Sequence, residues 1–250
     1  MDLKKSAKML VCLLSMTLSL GAVAATDAAM DEGDLECVLE PNAKIEISTA
    51  VAGLLDDVLV ERGDRVKRGQ ELAHLISGPE KAAVELAKAR VEFGKRKAER
   101  NEDLYKQELI SINERDENDT EVLLASLQLA QAQEQLKLRT VTSPINGIVV
   151  ERDKDPGEYV ETDPMLTVVS LDPLNVEVVA PAERFGTIKQ GMRARVTILG
   201  PVTGTYKARV TLIDQVIDAA SGTIRVRLSL PNPGNAIPAG LKCLVKFLPK

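Results

Sequence analysis

The chain has 250 residues and a formal charge of −5, with no Trp and only 2% aromatic residues. That length allows one or two domains with an ample apolar core. The composition argues against stacking platforms for single-stranded nucleic acid and against a general attraction to phosphate.

The first segment, "MDLKKSAKMLVCLLSMTLSLGAVAA", has a basic start at Lys4, Lys5 and Lys8, an apolar run from Met9 to Leu20, and small residues before Ala25. This pattern predicts a signal peptide over 1–25, cleaved after Ala24 or Ala25. The competing reading is a retained anchor, for which an apolar run of about seventeen residues is near the lower limit. Lipidation at Cys12 is rejected, because the bulky Val11 precedes it. Cleavage removes three Lys and one Asp, so the mature chain carries −7. Export predicts an oxidising, periplasmic setting. Two cysteines then remain, Cys37 in "LECVLE" and Cys243 in "LKCLVKF". Two readings stay open for them: neighbouring strands joined by a disulfide, or two buried free thiols.

After the N-terminal segment 26–43 comes a stretch that the chain writes twice. "VAGLLDDVLVERGDRV" returns as "PINGIVVERDKDPGEYV", with Gly53 matching Gly147, Gly63 matching Gly157, Val66 matching Val160 and Leu72 matching Leu166 at a constant offset of 94. Both copies alternate apolar and polar residues and break at Gly, Asp or Pro, which predicts short strands and tight turns over 44–77 and 140–170. Gly63 and Gly157 fall where a turn needs positive φ. Half a domain of short strands buries little alone, so two copies related by a pseudo-twofold are expected to close one sandwich.

Between the halves, residues 78–139 change period. Val84, Val91, Ala98 and Tyr105 fall seven apart, with Ala87 and Gly94 three residues after the first two; Val122, Ala125, Leu129, Ala132 and Leu136 give a returning seam. Ser111 and Glu114 form an S-x-x-E signature for the start of a second helix. The segment therefore predicts two antiparallel helices of about 28 residues, roughly 40 Å long at the rise of an α-helix. The basic cluster "KRKAER" lies among Glu92, Glu99, Glu102 and Asp103, which predicts a solvated ion-paired face.

From 171 to 250 the strand candidates "LNVEVVA", "RARVTIL", "YKARVTLI", "TIRVRLSL" and "KCLVKFL" alternate with Gly- and Pro-rich turns. They predict a small β-barrel, with a short helix in "PAERFGTIKQG" and with "LECVLE" completing the sheet. The fold class is thus α+β, mostly β: a split sandwich carrying an inserted antiparallel coiled-coil hairpin, followed by a small β-barrel.

Little in the chain carries catalytic chemistry. His74 is the only His, no G-x-S-x-G, C-x-x-C or H-E-x-x-H occurs, and nothing resembles a phosphate-binding loop. Met30, His74, Cys37 and Cys243 are soft metal ligands without ligand spacing. No enzyme, metal or cofactor is expected.

The duplicated half-motif resembles the split biotinyl/lipoyl domain. The order of split domain, helical hairpin and barrel, with "GTIRVRLSLPNPGNAIPAGLKCLVKF" near the end, resembles the periplasmic adaptor subunits, or membrane fusion proteins, of the HlyD-like family. The resemblance implies a non-catalytic adaptor of an RND-type efflux system, linking an inner-membrane transporter to a TolC-type outer-membrane channel. It also implies a trimeric or hexameric ring of copies. An ABC-type exporter and a metal-ion efflux system are the alternatives for the complex served. Family members that dock on such channels carry R-x-x-x-L-x-x-x-x-x-x-S at the hairpin tip, and Arg100, Leu104 and Ser111 match that spacing. Lipoyl carriers present an acylated Lys where the halves join; here the hairpin occupies that junction, and Lys67 and Lys81 lie outside any Met-Lys tip. The family's membrane-proximal domain, built from both chain ends, is expected to be absent or vestigial.

Overall fold

The computed structural model describes residues 33–200 and 202–248. The predicted signal peptide and residues 26–32 of the N-terminal segment, Met30 among them, lie outside the described residues. In chain order the elements are β1 (Leu35–Glu40), β2 (Ala43–Ile47), β3 (Gly53–Val58), β4 (Arg65–Val66), β5 (Glu71–Leu75), α1 (Gly78–Lys106), α2 (Ile112–Lys137), β6 (Thr140–Thr142), β7 (Gly147–Arg152), β8 (Tyr159–Val160) and β9 (Leu166–Ser170). Then follow β10 (Leu174–Pro181), β11 (Arg193–Ile198), β12 (Gly204–Ile213), β13 (Thr223–Leu230) and β14 (Lys242–Phe247).

The internal repeat is visible at the level of single hydrogen bonds. Gly63 N–H donates to Val149 C=O at 2.8 Å, and its counterpart Gly157 N–H donates to Leu55 C=O at 2.9 Å. Val149 N–H to Asp64 C=O and Leu55 N–H to Glu158 C=O form the second equivalent pair, both at 2.9 Å. Gly63 and Gly157 have φ of 100° and 88°, a region that side chains resist.

The halves also interlock. One sheet runs β2-β9-β7-β4 and the other β6-β5-β3-β8. Each half supplies the inner pair of one sheet and lends its two remaining strands to the other. Each half pairs only two of its four strands with each other, and neither covers its apolar face alone. Leu55, Leu72, Leu75, Val149, Met165, Leu166 and Val168 fill the space between the sheets.

The barrel closes in the order β1-β10-β13-β12-β11-β14. The N-terminal strand β1 is its keystone, pairing with β10 on one side and with the last strand β14 on the other. Alternate residues point inward, among them Leu39, Val176, Val178, Val196, Val226, Leu228 and Val245. The short helix expected in "PAERFGTIKQG" is one 3-10 turn at Ala182–Arg184, because positive-φ Gly186 follows within two residues. Sandwich and barrel touch where Arg65 Nη2 donates to Gly234 C=O at 3.0 Å.

Candidate functional site: the hairpin and its tip

The two helices pack along the heptad seam. On α1, Ala87, Val91 and Gly94 are buried and Val84, Ala98 and Tyr105 half-buried; on α2, Ala132 is buried and Val122, Ala125, Leu129 and Leu136 are half-buried. Gly94 is small for a reason: a Cβ there would lie 3.3 Å from Val122 Cγ2. Lys97 and Glu121 pair across one edge at 2.8 Å, and Arg115 approaches Glu102 across the other at 3.7 Å. Asn118, buried at a seam position, satisfies its amide by donating to Glu114 C=O at 2.6 Å.

At the root, Arg139 ties the hairpin to the sandwich. Its Nε and Nη2 donate to Glu80 Oε1 at 3.0 and 2.7 Å, and its Nη1 donates to Ala52 C=O at 3.0 Å. A backbone hydrogen bond at Glu80 itself, then Arg139, hold the Glu80 carboxyl below its ordinary value, against the opposing effect of desolvation. A lowered folded-state value contributes stability above the ordinary carboxylate range, and that contribution is lost as pH falls through the folded value. Urea midpoints measured from neutral pH down to the acid limit are therefore expected to fall less steeply for Glu80→Gln than for the wild type.

The tip is a Schellman turn followed by an N-cap. Glu108 N–H donates to Tyr105 C=O and Leu109 N–H to Leu104 C=O, both at 2.9 Å, with Glu108 at φ 60°. Ser111 Oγ then accepts from Glu114 N–H at 3.2 Å and caps α2. The reciprocal half of the capping box is not among the hydrogen bonds of the described residues. Glycine normally occupies the left-handed position of this turn. Glu108→Gly is expected to stabilise the hairpin by about 1 kcal/mol, the usual penalty for a side chain in that conformation. Hydrogen exchange of the Leu109 amide would register it as slower opening.

The turn also decides what the tip shows to solvent. Leu104, Leu109 and Ile112 are 37%, 65% and 54% exposed, three apolar side chains at one end of a rod. Arg100 is exposed one turn below, with no hydrogen bond or ion pair among the described residues. By contrast Arg115 lies over the Tyr105 ring at 5.1 Å, and Lys106 approaches Glu102 and Asp103. Of the sequence-derived trio, Ser111 is held as a helix cap, while the Arg100 and Leu104 side chains are exposed. Leu109 and Ile112 were not singled out from the sequence. Their signal was apolar residues inside a break between helices, where solvent contact is the default.

The remaining candidates lie apart. Cys37 and Cys243 are register partners on β1 and β14, Cα atoms 4.8 Å apart and sulfurs bonded at 2.11 Å. His74, on β5, sits between two carboxylates, with Nδ1 2.8 Å from Asp57 Oδ1 and Nε2 3.2 Å from Glu71 Oε2. Lys67 lies in the turn before β5, and Lys81 in the first turn of α1. Among the described residues no three His, Cys, Asp or Glu side chains form a metal-binding group, and no helix is long and apolar enough to cross a membrane.

Comparison with known proteins places this architecture. A CzcB-like barrel-sandwich hybrid domain matches residues 43–170, and a CusB-like β-barrel domain matches residues 174–250. The antibiotic efflux pump periplasmic linker protein ArpA of Pseudomonas putida is 25% identical over 78% of this chain and 57% of its own length. The multidrug resistance protein MexA of Pseudomonas aeruginosa is 23% identical over 78% of this chain and 55% of its own. The chain thus spans little more than half the length of these relatives. Among solved structures, a MacA-MexA chimera with the Pseudomonas aeruginosa MexA α-hairpin superimposes with a TM-score of 0.73 at 20% identity, covering 86% of this chain and 79% of that one. The membrane fusion protein Spr0693 of Streptococcus pneumoniae gives 0.69 at 20% identity, covering 87% and 99%. Both likenesses concern the fold.

Proposed function

We propose, for a chain that belongs to the CzcB/CusB-like family of periplasmic adaptors, or membrane fusion proteins, that it is the non-catalytic connector of an efflux complex. It joins an inner-membrane transporter to a TolC-type outer-membrane channel, and the transporter supplies the energy. The leader delivers it to the periplasm, where copies assemble as a trimeric or hexameric ring.

The observation that carries this reading is the tip. A guanidinium on Arg100, without an ion pair among the described residues, and exposed Leu104, Leu109 and Ile112 stand at the free end of a two-helix rod. Apolar side chains kept in water at a rigid extremity gain their burial from a partner. A guanidinium beside them suits carbonyls at the ends of a channel's helices. At the other end, Arg139 and Glu80 hold the rod against the sandwich, so that a contact at the tip is transmitted to the body.

The test is Arg100→Asp in cells that depend on the complex. Tolerance to the exported compound is expected to fall to that of a strain lacking the adaptor, with adaptor abundance unchanged. Full tolerance at normal abundance, with no redundant pump, would remove the tip assignment.

A further inference from the structure

We propose that a disulfide-donating oxidoreductase installs the Cys37–Cys243 bridge through a mixed disulfide on Cys37, and that this step closes the barrel. The inference rests on the export reading given above. In the folded protein the two cysteines are 4% and 1% exposed, inside a closed wall of strands. No donor protein reaches either sulfur there, so oxidation precedes the final zipping of β1 onto β14.

Chain order fixes the sequence of events. Leader-directed export presents the N-terminal side first, so Cys37 meets the donor before Cys243, which follows 206 residues later. The Cys37 thiolate attacks the donor's disulfide, forming a mixed disulfide and releasing one donor thiolate. When β14 arrives, the Cys243 thiolate attacks the Cys37 sulfur and releases the second donor thiolate. Two protons leave the chain and two electrons pass to the donor. The bond also sets the strand pairing. Cys37 opposes Cys243 directly, and a one-residue slip would turn one sulfur out of the barrel.

The chain has three cysteines, and cleavage after Ala24 or Ala25 removes Cys12. The two that remain allow a single pairing, so the protein needs an oxidant and gives a disulfide isomerase nothing to correct.

The experiment is a pulse-chase of the full chain with its leader, quenched in acid, followed by alkylation of free thiols and mass measurement. It is run in hosts lacking either the periplasmic dithiol oxidase or the isomerase. The processed wild-type chain is expected to lose both free thiols. Oxidation slows about tenfold or more without the oxidase and is unchanged without the isomerase. Cys243→Ser is expected to accumulate the donor adduct on Cys37 several-fold above the adduct found with Cys37→Ser. This adduct forms before folding, so the readout survives any folding defect of the variants. A processed chain with two free thiols, an oxidase-independent rate, or a stronger adduct through Cys243 overturns the proposal alone. A chain that keeps its leader and three free thiols in the cytoplasm overturns the export reading with it.

Discussion

Gly147→Val is expected to abolish accumulation of the folded protein. A Cβ at this position would lie 2.3 Å from Val169 C=O and 2.8 Å from Val168 Cγ1, on the neighbouring strand β9. Backbone cannot swing aside as a side chain can, so β7 and β9 would have to separate. Overpacking of this kind costs about 3 kcal/mol or more, a large part of a domain's stability. Its repeat counterpart Gly53 is a milder case, since a Cβ there meets only the Arg139 Nη1 and Leu75 side chains, at 2.7 and 2.8 Å. Gly63→Val meets no neighbour within 4 Å and suffers only its φ of 100°, about 1–2 kcal/mol. Soluble yield and urea midpoint should therefore rank Gly147→Val far below Gly63→Val. Equal losses would show that turn conformation, and not the close approach of strands, governs the sandwich.

The second large effect belongs to the barrel. Cys37→Ser or Cys243→Ser releases the covalent tie between β1 and β14. A bridge enclosing 206 residues restricts the unfolded chain by about 5 kcal/mol in the loop-entropy account, with measured losses of about 2–5 for native bridges. Each variant, and the wild type held in reductant, should show the same lowered urea midpoint. The double variant should lose no more than either single one, because the two changes remove a single bond. Losses that add would show that each residue contributes by packing instead.

Much of this architecture can be read from the residues, and what cannot has a physical reason. The offset between Gly63 and Gly157 announced two halves because identical turns need identical glycines. The seven-residue spacing from Val84 to Tyr105 announced a coiled coil because only that period keeps one face inward. Partnership between strands was not written locally. Alternation in "GIVVER" tells which side chains are inward but not that β7 lies between β9 and β4. Nor does any local signal link Arg139 to Glu80, since they meet only once the hairpin has closed. Asn118 ran against the pattern, a polar residue in the seam that pairs with its own helix. At the tip, Arg100, Leu104 and Ser111 were legible as a spaced motif. The exposure of Leu109 and Ile112 followed from a turn geometry that turns on one residue, Glu108, held at positive φ.

The account is tested most directly by a photoactivatable cross-linker placed at Leu109 in cells, compared with one at Ala89, exposed midway along α1. Light should join position 109, and not position 89, to an outer-membrane channel. Capture of the channel from Ala89 alone, or no capture from position 109 in fully tolerant cells, would contradict a rod that meets its partner end-on.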